Sequence, residues 1–253
     1  MEHLSPLMRY IPDPIIEACL KMKKPFKVSH ITGIKSPYAE AEGWFIGCPL
    51  TAKQMVELPE EFVMDRIIES GKVAQELGAK IVGLGAFTSI VGDAGITVAK
   101  NLDIAVTSGN SYTVATAIQG TKQAARMMGK DLKECRAVVV GATGSIGAAS
   151  VRLLAKEVKH ITLVARHMGP LEELAQELIE QNHCEVAVSQ DIRTSLQEAD
   201  IVITVTSALD FLIEPGDLKP GAVVCDVARP RNVSREVSLQ RNDVLVIEGG
   251  VIN

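Results

Sequence analysis

The chain has 253 residues, enough for one or two domains with a sizeable hydrophobic core. Its composition is 47% hydrophobic and 23% charged, and the net charge of −5 excludes a strongly basic surface for nucleic acid. No apolar run approaches the roughly eighteen residues of a spanning helix, and the N-terminus lacks the basic-then-apolar order of a signal peptide. We therefore expect a cytoplasmic protein with no transmembrane segment and no nucleic-acid partner.

The five cysteines are scattered without a C-x-x-C pair, which fits thiols in a reducing compartment. Two of them, Cys135 and Cys225, lie at or in predicted strands and are expected in the core. The five histidines are isolated from one another, and the sequence therefore predicts no metal site.

The N-terminal half alternates helix and strand signals. Proline and aspartate open a helix over 12–22, and β-branched residues predict a strand over 26–31. Glycine, serine and proline predict a loop over 33–38. The strongest helix of this half covers 60–77, where apolar residues recur at helical spacing.

Two further apolar strands, over 80–84 and 103–106, each run into a loop of small polar residues. Alternation of helix and strand predicts that these strands are parallel, and ligands of such sheets bind beyond the carboxyl ends of the strands. Hydroxyl and amide groups in the two loops can hydrogen-bond a substrate carbonyl or a nicotinamide amide. The alternative is that Thr107 and Ser111 only cap the helix that follows, and both interpretations remain open. The candidate substrate residues are Thr88, Ser89, Ser108, Asn110 and Ser111.

From residue 131 onward the alternation is regular. Helices between short strands predict a doubly wound parallel sheet of the Rossmann type, with its ligand crevice at the ends of the first and fourth strands. We predict an N-terminal α/β substrate domain over 1–111, a linker helix over 112–130 and a nucleotide-binding domain over 131–253. The strands predicted in that last domain cover 137–140, 161–165, 185–188, 200–205, 222–226 and 244–247.

The first of these strands ends in a glycine-rich turn, G-A-T-G-S-I-G. In such a turn Gly141 permits the tight bend, Gly144 lets a pyrophosphate approach the backbone, and Gly147 lets the helix pack close to the strand. The N–H groups at the helix start then face the phosphates. The competing interpretation is a glycine-rich turn that binds nothing. The cofactor-binding residues predicted here are Gly141, Ala142, Thr143, Gly144, Ser145, Ile146 and Gly147.

The second strand of this domain is followed by Arg166 rather than by an acidic residue. NAD-binding versions use an acidic residue here to bind the ribose 2′-hydroxyl, whereas a guanidinium binds a 2′-phosphate bidentately. The sequence therefore predicts NADP as the cofactor, the alternative being that Arg166 is only a solvated cation. Thr206 and Ser207 follow the fourth strand and are predicted to lie beside the cofactor.

Four motifs follow one another along the chain: G-L-G-A-F-T-S-I at 83–90, T-S-G-N-S-Y-T at 107–113, V-G-A-T-G-S-I-G at 140–147 and E-G-G-V at 248–251. Together they resemble the long-chain acyl-[acyl-carrier-protein] reductases of cyanobacteria and related bacterial proteins described as amino-acid or shikimate-type dehydrogenases. The segment D-V-A-R-P-R-N-V at 226–233 is also similar to a segment of the glutamyl-tRNA reductases.

The resemblance implies an aldehyde-forming reductase. In the acyl-carrier-protein reductases, a cysteine thiolate takes the acyl group from a thioester, and NADPH then delivers hydride to the acyl-enzyme. The resemblance places that cysteine beyond Asn253, so the chain is expected to be either a fragment or a short relative without acyl-enzyme chemistry. The implied substrate is a small-molecule or carrier-bound thioester. An implied acyl-carrier-protein partner would need a basic patch, for which the sequence offers Arg229, Arg231, Arg235 and Arg241 unless these only form a solvated surface.

Two other functions remain open. A shikimate-type or amino-acid dehydrogenase commonly needs a lysine–aspartate couple near its substrate. The candidates Lys100 and Asp103 flank a strand start, away from the expected crevice, which counts against this function. A non-catalytic NADP-binding protein would bind NADPH tightly while no substrate led to its oxidation.

Overall fold

The computed structural model describes residues 12–181, 183–208 and 210–249. The chain divides into two compact units between Gly109 and Asn110. The predicted motif residues Gly250 and Val251 lie outside the described ranges. Within those ranges, the structure has no helix that is both long and apolar enough to cross a bilayer.

The first unit combines a β-hairpin, a parallel strand pair and helices. Its largest helix carries Val63, Met64 and Ile67 on one buried face, as its apolar spacing predicts. These side chains pack with Leu84 and Val98 in a small core. The elements are α1 (Asp13–Met22), β1 (Phe26–Lys35), β2 (Glu40–Gly47), α2 (Ala52–Glu57), α3 (Glu60–Glu76), β3 (Ile81–Gly83), α4 (Ile96–Lys100) and β4 (Ala105–Thr107).

β1 and β2 form an antiparallel hairpin, and β1 extends beyond the strand predicted over 26–31. Ile34 and Lys35 both pair with β2, although they fall in the stretch predicted as a loop. A register shift in the ladder accommodates Gly33, whose φ is +79°. The loop prediction over 33–35 was wrong because this glycine marks a bulge within the strand and not its end.

β3 and β4 pair in parallel, with Ile81 opposite Ala105 and Gly83 opposite Thr107. This confirms the parallel arrangement predicted for the two strands. Their carboxyl ends lie side by side, because the N–H of Leu84 donates to the carbonyl oxygen of Thr107 at 2.8 Å.

The second unit contains a six-stranded parallel sheet. Its strand order is β10-β9-β8-β5-β6-β7, with β5 and β8 adjacent where the order reverses. This confirms the predicted doubly wound α/β fold. The elements are α5 (Asn110–Met127), β5 (Arg136–Val140), α6 (Ser145–Leu154), β6 (His160–Val164), α7 (Met168–Gln181), β7 (Glu185–Ser189), α8 (Ile192–Leu196), β8 (Ile201–Thr204), β9 (Val223–Asp226), α9 (Arg235–Gln240) and β10 (Leu245–Glu248).

The helix predicted as a linker over 112–130 corresponds to α5. It packs against α6, β9 and β10 and belongs to the second unit. The domain limits at 111 and 130 stay a prediction.

β5 is buried on both faces because helices cover both sides of a doubly wound sheet. Ala137 and Val139 belong to one apolar cluster, and Val138 and Val140 belong to the other. All four side chains are at most 2% exposed. Since each fully buried valine contributes roughly 1.5–3 kcal/mol, this continuous apolar run places β5 at the centre of the sheet and fixes the position of the turn that follows it.

A partly buried carboxylate joins the amino ends of two of these strands. Asp200 accepts hydrogen bonds from the Arg136 N–H at 3.0 Å, from Lys219 Nζ at 2.7 Å and from Lys130 Nζ at 3.3 Å. Burial pushes the pKa of Asp200 upward, but these donors outweigh it and hold the pKa below its ordinary value. The folded state therefore prefers ionised Asp200, and this stabilisation is lost as the pH falls through the lowered pKa.

We expect Asp200→Asn to lower the free energy of unfolding by about 2 kcal/mol at pH 7, since it removes the charge that both lysines contact. The difference from wild type should begin to shrink below about pH 4, where Asp200 of the unfolded chain binds a proton, and should vanish once the pH falls below the lowered pKa of the folded state. Urea unfolding at several pH values measures this. Glu198→Gln is the control, because Glu198 pairs with Arg136 at 3.8 Å between side chains that are 76% and 48% exposed. Equal losses for the two variants would contradict the account.

Candidate functional site

The carboxyl end of β5 turns sharply at Gly141, whose φ is +87°. Glycine adopts this φ without the steric cost that a side chain would add. The N–H groups of Gly141 and Ala142 donate to the carbonyl oxygen of Val164, at 2.8 and 3.1 Å. The turn is therefore fixed to the carboxyl end of β6 before the chain enters α6.

α6 lies directly on this turn. A Cβ added at Gly147 would be 2.1 Å from the carbonyl oxygen of Gly141, so only glycine permits this helix position. A Cβ added at Gly144 would meet only the Gly141 oxygen, at 3.4 Å. Gly147 therefore determines how closely α6 approaches the strand, whereas Gly144 leaves open space beside the turn.

The N-terminus of α6 is open to solvent. Gly144 is the N-cap residue, and no side chain caps the helix. The first helical bond runs from the Ala148 N–H to the Gly144 carbonyl oxygen at 2.8 Å, and Thr143, Gly144 and Ser145 are exposed. Free N–H groups at the positive end of a helix bind anions, so this end of α6 fits a phosphate group.

The turn after β8 meets the glycine turn at the point where the strand order reverses. A Cβ on Gly141 would lie 3.1 Å from the Thr206 methyl carbon. The Thr206 hydroxyl points away from the turn, because it donates to Asn232 Oδ1 at 2.8 Å and accepts from the Ala208 N–H at 3.2 Å. Thr206 therefore presents its methyl group at this position, and Ser207 next to it is exposed.

Arg166 is exposed two residues after Val164, whose carbonyl oxygen holds the glycine turn. The Arg166 carbonyl oxygen accepts a hydrogen bond from Gln190 Nε2 at 2.6 Å, which joins the loops that follow β6 and β7. A groove of about 610 Å³ begins at the same glutamine. Its lining residues are Gln190, Asp191, Ile192, Arg193, Phe211 and Leu212.

One predicted substrate residue lies beside the helix start. Asn110 is the first residue of α5, and its Nδ2 donates to Ser145 Oγ at 3.1 Å. The structure thus brings a residue predicted for the substrate next to one predicted for the cofactor. Ser111 is exposed in the first turn of α5.

The other predicted substrate residues lie in the first unit. The Thr88 hydroxyl donates to the Gly85 carbonyl oxygen at 2.7 Å, and the Ser89 hydroxyl donates to the Ala86 carbonyl oxygen at 2.8 Å. Both protons are used within the loop, so these hydroxyls would serve a ligand as acceptors. Ser108 is half-buried.

Two residues that the sequence did not single out connect the β8 and β9 ends. Asp226 is 2% exposed and accepts from the N–H groups of Ala228, Asn232 and Val233 at 3.1, 3.0 and 3.0 Å. Burial raises the pKa of Asp226, although these N–H groups oppose the shift. Asn232 is fully buried and contacts Thr206. Both residues lie in the segment that resembles glutamyl-tRNA reductases, and that resemblance was the only sequence feature that pointed to them.

Most of the arginines that the sequence offers to an acyl carrier protein have partners within the chain. Arg229 and Arg231 both pair with Glu248. Arg241 pairs with Asp243 at 2.8 Å and donates to the carbonyl oxygens of Pro215 and Leu218. Three of the four arginines are therefore engaged within the chain.

Four thiols are poor nucleophiles. Burial raises the pKa of Cys48, Cys135, Cys184 and Cys225, to about 11 for Cys225. Cys135 and Cys225 are buried core residues, as the sequence predicts. In the described part of the chain, no three His, Cys, Asp or Glu side chains are grouped to hold a metal ion.

Residues 122–248 match the sequence model of shikimate / quinate 5-dehydrogenase. The chain belongs to this family. The match includes the glycine turn, Arg166 and the buried Asp226 and Asn232, and it identifies an oxidoreductase-type NAD(P)-binding domain.

Several curated proteins are similar to this chain. The chain is 32% identical over 228 residues to aminotransferase PigE from Serratia sp., and the match covers 89% of this chain and 26% of that protein. It is 29% identical over 204 residues to long-chain acyl-[acyl-carrier-protein] reductase from Synechococcus elongatus, covering 74% and 55%. It is 29% identical over 119 residues to glutamyl-tRNA reductase from Chlorobium chlorochromatii, covering 44% and 27%. The chain therefore spans about a quarter to about half the length of these relatives.

These similarities support part of the resemblance predicted from the motifs. The acyl-carrier-protein reductase is only a distant relative, and this chain is similar to other proteins as well. The match to the shikimate / quinate 5-dehydrogenase model therefore shows the family to which this chain belongs.

Proposed function

We propose that this chain binds NADPH and donates hydride from it. The observation that carries the proposal is the attachment of the glycine turn to Val164, two residues before Arg166. If the pyrophosphate binds at the open start of α6, the adenosine ribose lies near the end of β6. There the Arg166 guanidinium can bind a 2′-phosphate. The groove beside Gln190 would then receive the adenine.

The reaction we propose is reduction of an acyl thioester to an aldehyde. Hydride from NADPH adds to the thioester carbonyl carbon, the carbon–sulfur bond breaks, and a proton accompanies release of the thiol and NADP⁺. The similarity to the Synechococcus reductase supports this substrate class. Burial raises the pKa of the thiols at Cys48, Cys135, Cys184 and Cys225, which disfavours these four residues as the acyl acceptor. The described residues contribute the hydride-donor site.

The alternative is a shikimate-type dehydrogenase that oxidises a hydroxy acid. The family match supports it equally well. The Asp103 carboxylate accepts from Gln75 Nε2 at 3.0 Å, and the Asp103 backbone N–H donates to Gln75 Oε1 at 2.9 Å, which counts against Lys100 and Asp103 as the couple for this reaction. Asp103 also precedes the amino end of β4, at the opposite end of the strand from Thr107. The alternative therefore needs a different acid–base pair.

Assays with different substrates distinguish the two proposed reactions. The chain is incubated with NADPH and a series of acyl-CoA and acyl-carrier-protein thioesters, and in parallel with NADP⁺ and shikimate or quinate. We expect NADPH oxidation with a stoichiometric yield of aldehyde and free thiol. NADP⁺ reduction by a hydroxy acid would establish the alternative. Tight NADPH binding with no turnover in either direction, including in a longer native chain, would favour a non-catalytic binding protein.

A further inference from the structure

One buried side chain joins the turn after β8 to the segment after β9. Asn232 is 0% exposed, and its Oδ1 accepts three hydrogen bonds. The donors are the Thr204 hydroxyl at 2.7 Å, the Thr206 hydroxyl at 2.8 Å and the Thr206 N–H at 3.2 Å. A single oxygen thus holds both the last residue of β8 and the second residue after it.

The orientation of this amide follows from its partners. The Thr206 N–H can only donate, so the oxygen of Asn232 must face it and Nδ2 must point elsewhere. Nδ2 is buried and has no hydrogen-bond partner among the described residues. The three hydrogen bonds to Oδ1 are therefore the contacts that hold this side chain in place.

Asn232 is itself anchored to the sheet. The Asp226 carboxylate at the end of β9 accepts from the N–H groups of Asn232 and Val233, both at 3.0 Å. The Val227 N–H donates to the Thr204 carbonyl oxygen at 2.9 Å. The position of the asparagine is therefore set by β9, and the side chain transmits that position to the turn after β8.

Thr206 is the point where this connection reaches the glycine turn, because its methyl carbon lies 3.1 Å from the position of a Cβ on Gly141. The two turns meet where the strand order reverses, the place at which dinucleotides cross a doubly wound sheet. Arg166 lies on the β6 side of this point, and Thr206 lies on the β8 side.

We infer that Asn232 is a positioning residue for the half of the cofactor that carries the nicotinamide: it holds Thr206 against the glycine turn. The inference rests on the proposed NADPH site. It assigns different halves of the cofactor to different elements, with the adenosine 2′-phosphate at Arg166 and the nicotinamide half beside the turn that Asn232 fixes.

Thr206→Val and Thr204→Val are a matched pair that tests this inference. Each removes one hydroxyl donor to the same Asn232 oxygen and keeps the side-chain volume. Thr204 is paired within β8 between β5 and β9, and we expect it to stay in place without its hydroxyl. Binding is measured by titration with NADPH and with adenosine 2′,5′-bisphosphate, which carries the adenosine end alone, and a melting curve is recorded for each variant.

We expect Thr206→Val to weaken NADPH binding about tenfold and to leave bisphosphate binding within about twofold. Thr204→Val should lose similar thermal stability while both ligands bind within about twofold of wild type. Equal NADPH affinities for the two variants, or equal weakening of both ligands by Thr206→Val, would show that the network is only structural and would overturn the inference. Failure of the wild-type chain to bind either ligand would instead refute the NADPH site itself.

Asn232→Ala provides a second measurement, which tests the inference even if Thr206→Val does not fold. It should weaken NADPH and spare the bisphosphate in the same way. In the double variant the two effects on NADPH should not add, because both act through one contact. Additive effects, or an Asn232→Ala variant with wild-type NADPH affinity, would contradict the inference.

Discussion

Gly147→Ala is expected to abolish tight cofactor binding and to lower the free energy of unfolding by about 3 kcal/mol. The added Cβ would lie 2.1 Å from the Gly141 carbonyl oxygen and 2.9 Å from its carbonyl carbon, and neither backbone atom can move without shifting α6 or β5. A displaced α6 would lose its N–H groups as phosphate ligands, about a hundredfold in NADPH affinity if two such bonds are lost. Chemical denaturation and NADPH titration measure the two losses.

Two other glycines separate packing from binding. At Gly144 a methyl group meets only the Gly141 oxygen at 3.4 Å, so Gly144→Ala should fold normally yet block the approach of a pyrophosphate. At Gly169, in the first turn of α7, nothing lies within 4 Å of an added Cβ, and Gly169→Ala should change neither property. Wild-type NADPH affinity in Gly144→Ala would contradict a phosphate site at this turn.

Arg166→Gln is expected to weaken NADPH binding by about ten- to a hundredfold and to leave NADH binding within about twofold. A charge-assisted hydrogen bond to a phosphate contributes roughly 1.5–3 kcal/mol, and glutamine keeps the polarity without the charge. NADH has no 2′-phosphate and does not use this contact. The control is Arg152→Gln, which removes an arginine that pairs with Glu177 on α7 at 2.7 Å. If Arg166→Gln weakened both nucleotides equally, Arg166 would not be reading the 2′-phosphate.

The glycine turn and the sheet could be predicted because their signals are local. The bend at Gly141 and the close packing at Gly147 depend on residues six positions apart, and the buried run of β5 is continuous in the sequence. The doubly wound parallel fold, with its crevice at the ends of the first and fourth strands, followed from the alternation of short strands and helices. The register shift at Gly33 was not predicted. A glycine with positive φ can either end a strand or form a bulge within it, and the local sequence does not distinguish the two.

The network beneath the site could not be predicted, because its partners are distant in the sequence. Asn232 reaches Thr204 and Thr206 across 28 and 26 positions, and no residue pattern shows that an asparagine will be buried there. For the same reason the pairing of the basic residues could not be predicted. Arg229 and Arg231 share the single carboxylate of Glu248, which follows them by 19 and 17 positions. Tertiary pairing decided the role of each of these side chains.

The most direct test of the central claim is the ratio of the dissociation constants of NADPH and NADH for the wild-type chain, measured by titration under one set of conditions. The site at the glycine turn and Arg166 predicts that NADPH binds at least about tenfold more tightly than NADH. Equal affinities, or tighter binding of NADH, would contradict it.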